Sequence, residues 1–249
     1  MKSYGKLSTI FYDLDKPHPP ADALTFYIQQ AQANGSPILE PMCGSGRFLI
    51  PMMQAGFDLT GVDASFAMLS ACQQRAISLG LTTQLVQQEL HHLALPSTFR
   101  LAMIPAGSFC LLTDLGEARQ ALRQIFHALL PGSTFVVEVD QWLEPQGQPA
   151  QDTERSVHLP DGSVIILRSS GKFDPNEPVY QGVNRYDIIR DGQVLETEWE
   201  QFNLRYYQPE SFAKLLREAG FVNIDYHNAY DPHQPEARSE SLVFICTRS

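Results

Sequence analysis

Ile38-Leu39-Glu40-Pro41-Met42-Cys43-Gly44-Ser45-Gly46-Arg47-Phe48 is the stretch on which the fold turns. A short apolar run, Ile38–Leu39, enters a turn where Gly44 and Gly46 let a ligand come close to the backbone. One βα unit later, Leu59-Thr60-Gly61-Val62-Asp63 reads as a strand that ends on an acidic residue. A carboxylate there is placed to accept hydrogen bonds from a ribose diol, while the glycine turn meets the other end of the same ligand. The third glycine of a dinucleotide fingerprint is missing, since Phe48 and Leu49 occupy the nearby positions, and a pyrophosphate-binding reading is weakened accordingly.

Outward from this stretch the chain alternates strands with helices. Arg47–Gln54 reads as a helix with Pro51 as an awkward member. Ser65–Leu79 carries an apolar side of Ala67, Met68, Ala71, Cys72 and Ala76, and Gly80 is placed to stop it. Thr82–Val86, Leu101–Ile104 and Thr134–Val139 are strand candidates, and Leu115–Leu130 is mostly helical. Such a rhythm predicts a mostly parallel sheet covered on both faces. Upstream, Pro17, Pro19 and Pro20 precede a helix from Asp22 to Ala33.

After Asp140 the texture changes. Asp161–Gly162 and Asp191–Gly192 each separate two extended runs, which is a hairpin signal. Pro209–Ala219 then reads as a helix stopped by Gly220, and Phe221–His227 and Ser241–Thr247 as the last strands, with Asp231–Glu240 a polar loop between them. The expected organisation is an N-terminal lid and helical segment (1–35), a cofactor-binding core (36–140), an antiparallel β insertion near the acceptor cleft (141–207) and a C-terminal completion of the core (208–249).

Composition narrows the function. The chain has 18 Lys and Arg against 28 Asp and Glu, a net charge of −10, and shows no concentrated basic track, so a nucleic-acid partner is not expected. No run approaches a membrane span and the N-terminus lacks a signal-like apolar core, so no membrane partner is expected. Cys43, Cys72, Cys110 and Cys246 are widely spaced and suggest neither a metal-binding pair nor a disulfide framework. A reduced, cytoplasmic enzyme is the simplest reading.

The glycine loop and Asp63 together resemble motifs I and II of class I S-adenosylmethionine-dependent methyltransferases, and the likeness extends through Asp63-Ala64-Ser65, Met68-Leu69 and the element order to residue 249. The resemblance implies an α/β fold: a Rossmann-like seven-stranded methyltransferase sheet, helices on both faces, and the antiparallel β insertion. It implies S-adenosyl-L-methionine as cofactor, with Glu40, Cys43, Gly44, Gly46 and Arg47 at the methionyl end and Asp63 at the ribose. Ala64 and Met68 would lie near the adenine. Gln88, Glu89 and Leu90 would follow the third strand there, Glu89 standing where the family often binds the adenine amino group. Ile104, Ser108 and Phe109 belong to a junction that often lines both sites in that family. Tyr4 and Tyr12 fall in a segment similar to the family's entrance lid.

Other readings stand beside these. The glycines could simply permit a turn, Asp63 could cap the next helix, Cys43 is more readily a packing residue than a nucleophile, and Glu89 could be merely solvated. Tyr12 could anchor the first helix, and Phe109 could be core. On a strand, Gln201, Asn203 and Arg205 share one face, so Asn203 and Arg205 are acceptor-site candidates; Arg205 suits a carboxylate or phosphate, or equally a surface ion pair. Adjacent His91 and His92 are an incomplete ligand set, and no metal is expected. The expected function is methyl transfer to nitrogen or oxygen of a small-molecule acceptor, an anionic one if Arg205 faces it. The alternatives are a protein or RNA methyltransferase, or a non-catalytic cofactor-binding interaction protein. An exposed edge of the insertion could pair in a homodimer.

Overall fold

The structure, a computed structural model, describes residues 4–141, 152–174, 176–228, 230 and 241–249. The polar loop read over Asp231–Glu240 and most of the polar stretch after Asp140 lie outside the described residues.

Seven strands form one sheet in the order β10-β11-β5-β4-β1-β2-β3. They are β1 (Ile38–Pro41), β2 (Leu59–Asp63), β3 (Gln84–Gln87), β4 (Phe99–Ile104), β5 (Leu129–Asp140), β10 (Phe221–Asn228) and β11 (Ser241–Arg248). The pairings β5-β4-β1-β2-β3 are parallel, and β11 lies antiparallel between β10 and β5. Alternation along each strand sorts the core into two layers. Leu101 and Met103 of β4 face α2 (Ala21–Asn34), α3 (Leu49–Gln54) and α4 (Phe66–Ser78). Ala102 and Ile104 face α5 (Leu115–Ala128) and α6 (Pro209–Ala219). Strand order reverses at β1, between β4 and β2, and a doubly wound sheet opens a crevice at the carboxyl ends beside such a point.

The insertion is a single four-stranded antiparallel sheet of β6 (Thr153–His158), β7 (Val164–Phe173), β8 (Val179–Arg190) and β9 (Gln193–Arg205). Gly162 and Gly192 take the positive φ that the β6–β7 and β8–β9 turns require.

The N-terminus departs from the sequence reading. Lys6–Asp15 is a helix, α1, whereas Tyr12 was expected in an entrance lid or as an anchor for the helix read from Asp22. Its signal was present: Leu7, Ile10, Phe11 and Leu14 recur at helical spacing. Leu7 and Phe11 are buried against Ile165, Leu167 and Tyr186 of the insertion, so α1 packs on the small sheet.

Candidate active site

β1 delivers the chain to a turn in which Met42, Gly44 and Gly46 have φ of +58°, +56° and +82°. At Gly46 a Cβ would lie 2.6 Å from Cys72 Sγ, so this glycine lets the loop seat on α4. Asp63, ending β2, ties the pieces together. Its Oδ2 accepts from Gly44 N at 2.9 Å and its Oδ1 from Ser65 N at 2.8 Å. Burial raises the Asp63 carboxyl above its ordinary range, and the amides of Ser65 and Gly44 work against that rise. Ser65 itself caps α4 by accepting from Met68 N at 3.1 Å, and its hydroxyl donates to Tyr4 O at 2.6 Å. Asp13 of α1 accepts from Ser45 Oγ and pairs with Arg75 at 3.0 Å, fastening the helix over the loop.

These contacts enclose a cavity of about 450 Å³ at the carboxyl ends of β1 to β4. Tyr4, Tyr12, Glu40, Cys43, Gly44, Arg47, Asp63, Ala64, Met68, Gln88, Glu89, Leu90 and Ser108 all line it. At one end lie the acid Glu40 and the guanidinium of Arg47. Glu40 is 2% exposed, its Oε2 is buried without a hydrogen-bond partner, and burial pushes its carboxyl well above the usual range. The Arg47 guanidinium lies 5.5 Å over the Tyr12 ring and 5.4 Å over Phe48, with a buried Nε that has no partner. Arg47 forms no ion pair among the described residues. A buried acid and an unclaimed guanidinium are suited to the ammonium and carboxylate of an amino acid.

Several nominated residues fall elsewhere. Arg205 is 7% exposed; its Nε donates to Thr113 O at 2.6 Å and its guanidinium pairs with Glu177. It opens on a different depression of about 520 Å³ between α5, α6 and the insertion, away from the glycine loop. Asn203 accepts from Gly182 N at 3.2 Å and so ties β9 to β8. The face of β9 turned towards α1 carries the even-numbered residues: Glu198 accepts from Leu7 N and Ser8 N at 2.9 Å each, and Glu200 accepts from Tyr4 N. Phe109 is fully buried against Tyr207 and Phe212, because the turn after β4 folds it into the core. Ile104 is likewise fully buried, strand alternation having turned it towards α5. Gly46 faces Cys72 of α4 and does not line the cavity.

The reading also missed lining residues, among them Met42, Ala106 and Glu117. Met42 and Ala106 hold positive φ without being glycine, so no residue type betrays them. Glu117 was findable, since Asp114 accepts from Gly116 N and Glu117 N as the N-cap of α5 and places Glu117 in its first turn. A smaller chamber of about 180 Å³ shares Tyr4 and Tyr12 with the main cavity and is walled by Lys16, Arg155, Ser169, Tyr180 and Asn184.

A glycine loop at β1, an acidic end to β2, β11 reversed within the sheet and a β sheet inserted after β5 define the class I S-adenosylmethionine-dependent methyltransferase fold with a β insertion. Residues 38–132 match the family model described as "Methyltransferase domain". The chain is 23% identical over 252 residues to the Bacillus subtilis (strain 168) protein YqeM, covering 96% of this chain and 94% of that one. Among solved structures it is similar to an S-adenosylmethionine-dependent methyltransferase from Clostridium acetobutylicum, with a TM-score of 0.78, 20% identity and 97% of each chain covered. It is also similar to the sugar N-methyltransferase KedS8 from Streptoalloteichus, with a TM-score of 0.74, 21% identity, and 100% and 96% covered. At such identities the structural likeness establishes the fold.

Proposed function

We propose that the protein is an S-adenosylmethionine-dependent methyltransferase acting on nitrogen or oxygen of a small metabolite held between α1 and the insertion. One observation carries this reading: a single cavity has the Glu40 acid and the Arg47 guanidinium at one end and the Asp63 carboxylate beyond the glycine loop. Arg47 would take the cofactor's carboxylate and Glu40 its ammonium. Asp63 keeps lone pairs for the ribose hydroxyls after accepting Gly44 N and Ser65 N. Ala64, Met68 and Leu90 would flank the adenine, and Glu89 would accept from its amino group. When bound, the cofactor supplies a methyl carbon made electrophilic by a sulfonium.

The chain's own task is placement, since holding two reactants in line is worth about 7–11 kcal/mol in favourable intramolecular cases. Tyr12 stands at the junction of the two chambers, so we assign the acceptor to the smaller one. Its hydroxyl and amide groups on Ser169, Tyr180 and Asn184 suit a hydroxylated acceptor such as an amino sugar, consistent with the substrate class in the name of KedS8. The cations for an anionic group would be Lys16 and Arg155 rather than Arg205.

Calorimetric titration should detect S-adenosylmethionine or its demethylated product at micromolar-scale affinity, a usual range for substrates, and weaker or no NAD binding. Incubation with a metabolite mixture and mass analysis should then find a cofactor-dependent gain of one methyl group. Selective NAD binding would reject the assignment.

A further inference from the structure

The adjacent histidines alone are an incomplete ligand set, and the tight turn over Leu90–His92 brings both imidazoles to Glu89, two residues before His91. Glu89 Oε2 lies 3.4 Å from His91 Nε2 and 3.4 Å from His92 Nδ1. One ligand atom from each of the three residues falls within 4.8 Å of the others. Metal–ligand bonds of about 2.0–2.1 Å in a tetrahedral zinc site set its ligand atoms about 3.3–3.4 Å apart, the separation seen here between Glu89 and each histidine. We propose that Glu89, His91 and His92 bind a divalent transition-metal ion of the zinc class, and that this ion and the cofactor exclude one another.

The turn that carries the ligands is braced before any ion arrives. Leu90 and Leu93 are buried on either side of the histidines, His92 N donates to Glu89 O at 3.0 Å, and the Gln88 amide bridges His92 O (2.6 Å) and Ala94 N (3.2 Å). Little ordering therefore remains to be spent on binding. Two imidazoles and one carboxylate suit zinc, cobalt or nickel, whereas magnesium demands near-octahedral oxygen. Glu89 and His92 are more than half exposed, so an ion enters from solvent and can retain water as its remaining ligand.

The exclusion follows from position. Glu89 and His91 line the cofactor cavity while His92 does not. A carboxylate engaged by a dication is a poor acceptor for an adenine amino group, and linkage makes the antagonism reciprocal. This half of the proposal rests on the assignment of Glu89 to the adenine; the metal site rests on its own geometry.

The test is zinc titration of the metal-free chain against a chromogenic chelator, followed by calorimetry with S-adenosylmethionine. One zinc per chain should bind, with magnesium in excess failing to displace it. His92→Ala should weaken zinc by about tenfold or more and leave cofactor affinity in zinc-free buffer unchanged. One equivalent of zinc should raise the cofactor Kd of the wild-type chain by about fivefold or more and leave that of His92→Ala unmoved. Equal zinc affinity in wild type, His91→Ala and His92→Ala would overturn the site. Zinc bound at the triad with the cofactor Kd unchanged would overturn the exclusion. Failure of the cofactor to bind even in zinc-free buffer would count against the proposed function and leave the zinc titration standing.

Discussion

The carboxylate of Glu200, on the last strand of the insertion, accepts the backbone amide of Tyr4 at 2.6 Å across 196 residues of chain. The same buried side chain also accepts from Tyr186 Oη at 3.0 Å and Asn184 Nδ2 at 3.2 Å. Three donors thus converge on one acid, and Tyr4 O in turn receives the Ser65 hydroxyl at the head of α4. The insertion holds the roof of the cavity over the glycine loop by this route.

Glu200→Gln turns one acceptor oxygen into a donor facing donors and should cost about 1–3 kcal/mol, the toll of an unsatisfied buried polar group. Hydrogen exchange over residues 4–15 should quicken and cofactor affinity should fall. Glu196→Gln breaks only the exposed pair with Lys6 and should be close to neutral in both measurements. If Glu200→Gln leaves exchange over α1 unchanged, the strap does not act.

Asp63→Asn retains size and loses charge. Hydrogen bonds to charged groups contribute about 1.5–3 kcal/mol, so the cofactor Kd should rise by about 10- to 150-fold. Part of the change should appear as a lower Tm, because the amides of Gly44 and Ser65 lose an ionised acceptor. An unaltered Kd in a folded variant would place the ribose elsewhere.

Glu40 couples pH to stability with a definite sign. Burial raises its carboxyl in the folded chain, so between the unfolded and the folded pKa the native state binds more protons than the unfolded state. Stability from this residue is therefore retained below the unfolded value and lost as pH rises towards the folded one. Glu40→Gln removes that loss: at pH 7 the variant should melt higher, by about 1–3 kcal/mol of stability, and the gain should vanish near pH 4. Cofactor affinity should fall at the same time. A variant less stable than wild type at pH 7 would mean that Arg47 outweighs burial.

Arg205→Ala should lower stability by about 1–3 kcal/mol, since Thr113 O loses its donor beside the α5 N-cap. Cofactor Kd and acceptor KM should not move. A raised acceptor KM with unchanged melting would restore Arg205 to the acceptor wall.

What could be read in the sequence was what the chain encodes locally. The glycine turn, the acidic end of β2 and the Asp-Gly hairpins each lie within a few residues of their effects, and they led to the methyltransferase sheet and its insertion. Side-chain destinations set by distant partners were not legible. Arg205 finds a carbonyl 92 residues away, and which face of β9 meets α1 depends on how the small sheet sits, not on its alternation. Phe109 was open to both readings because a buried and a cavity-facing aromatic look alike in sequence. His91 and His92 appeared incomplete because the tight turn that returns them to Glu89 has no residue-type signature.

The docking of α1 on the insertion has a consequence for the order in which the protein can be made. Leu7 and Phe11 find their apolar partners at Ile165, Leu167 and Tyr186, and the α1 amides find theirs at Glu198. Leu7 precedes Glu198 by 191 positions, so at elongation rates of about 5–20 residues per second it waits about 10–40 s for that partner. The parallel sheet around β1 to β4 can begin to assemble during that interval with its cofactor cavity unroofed. Asp13 can already meet Ser45 and Arg75 in that interval, but the roof is complete only when β9 has left the ribosome and Glu198 and Glu200 take the amides of Leu7, Ser8 and Tyr4.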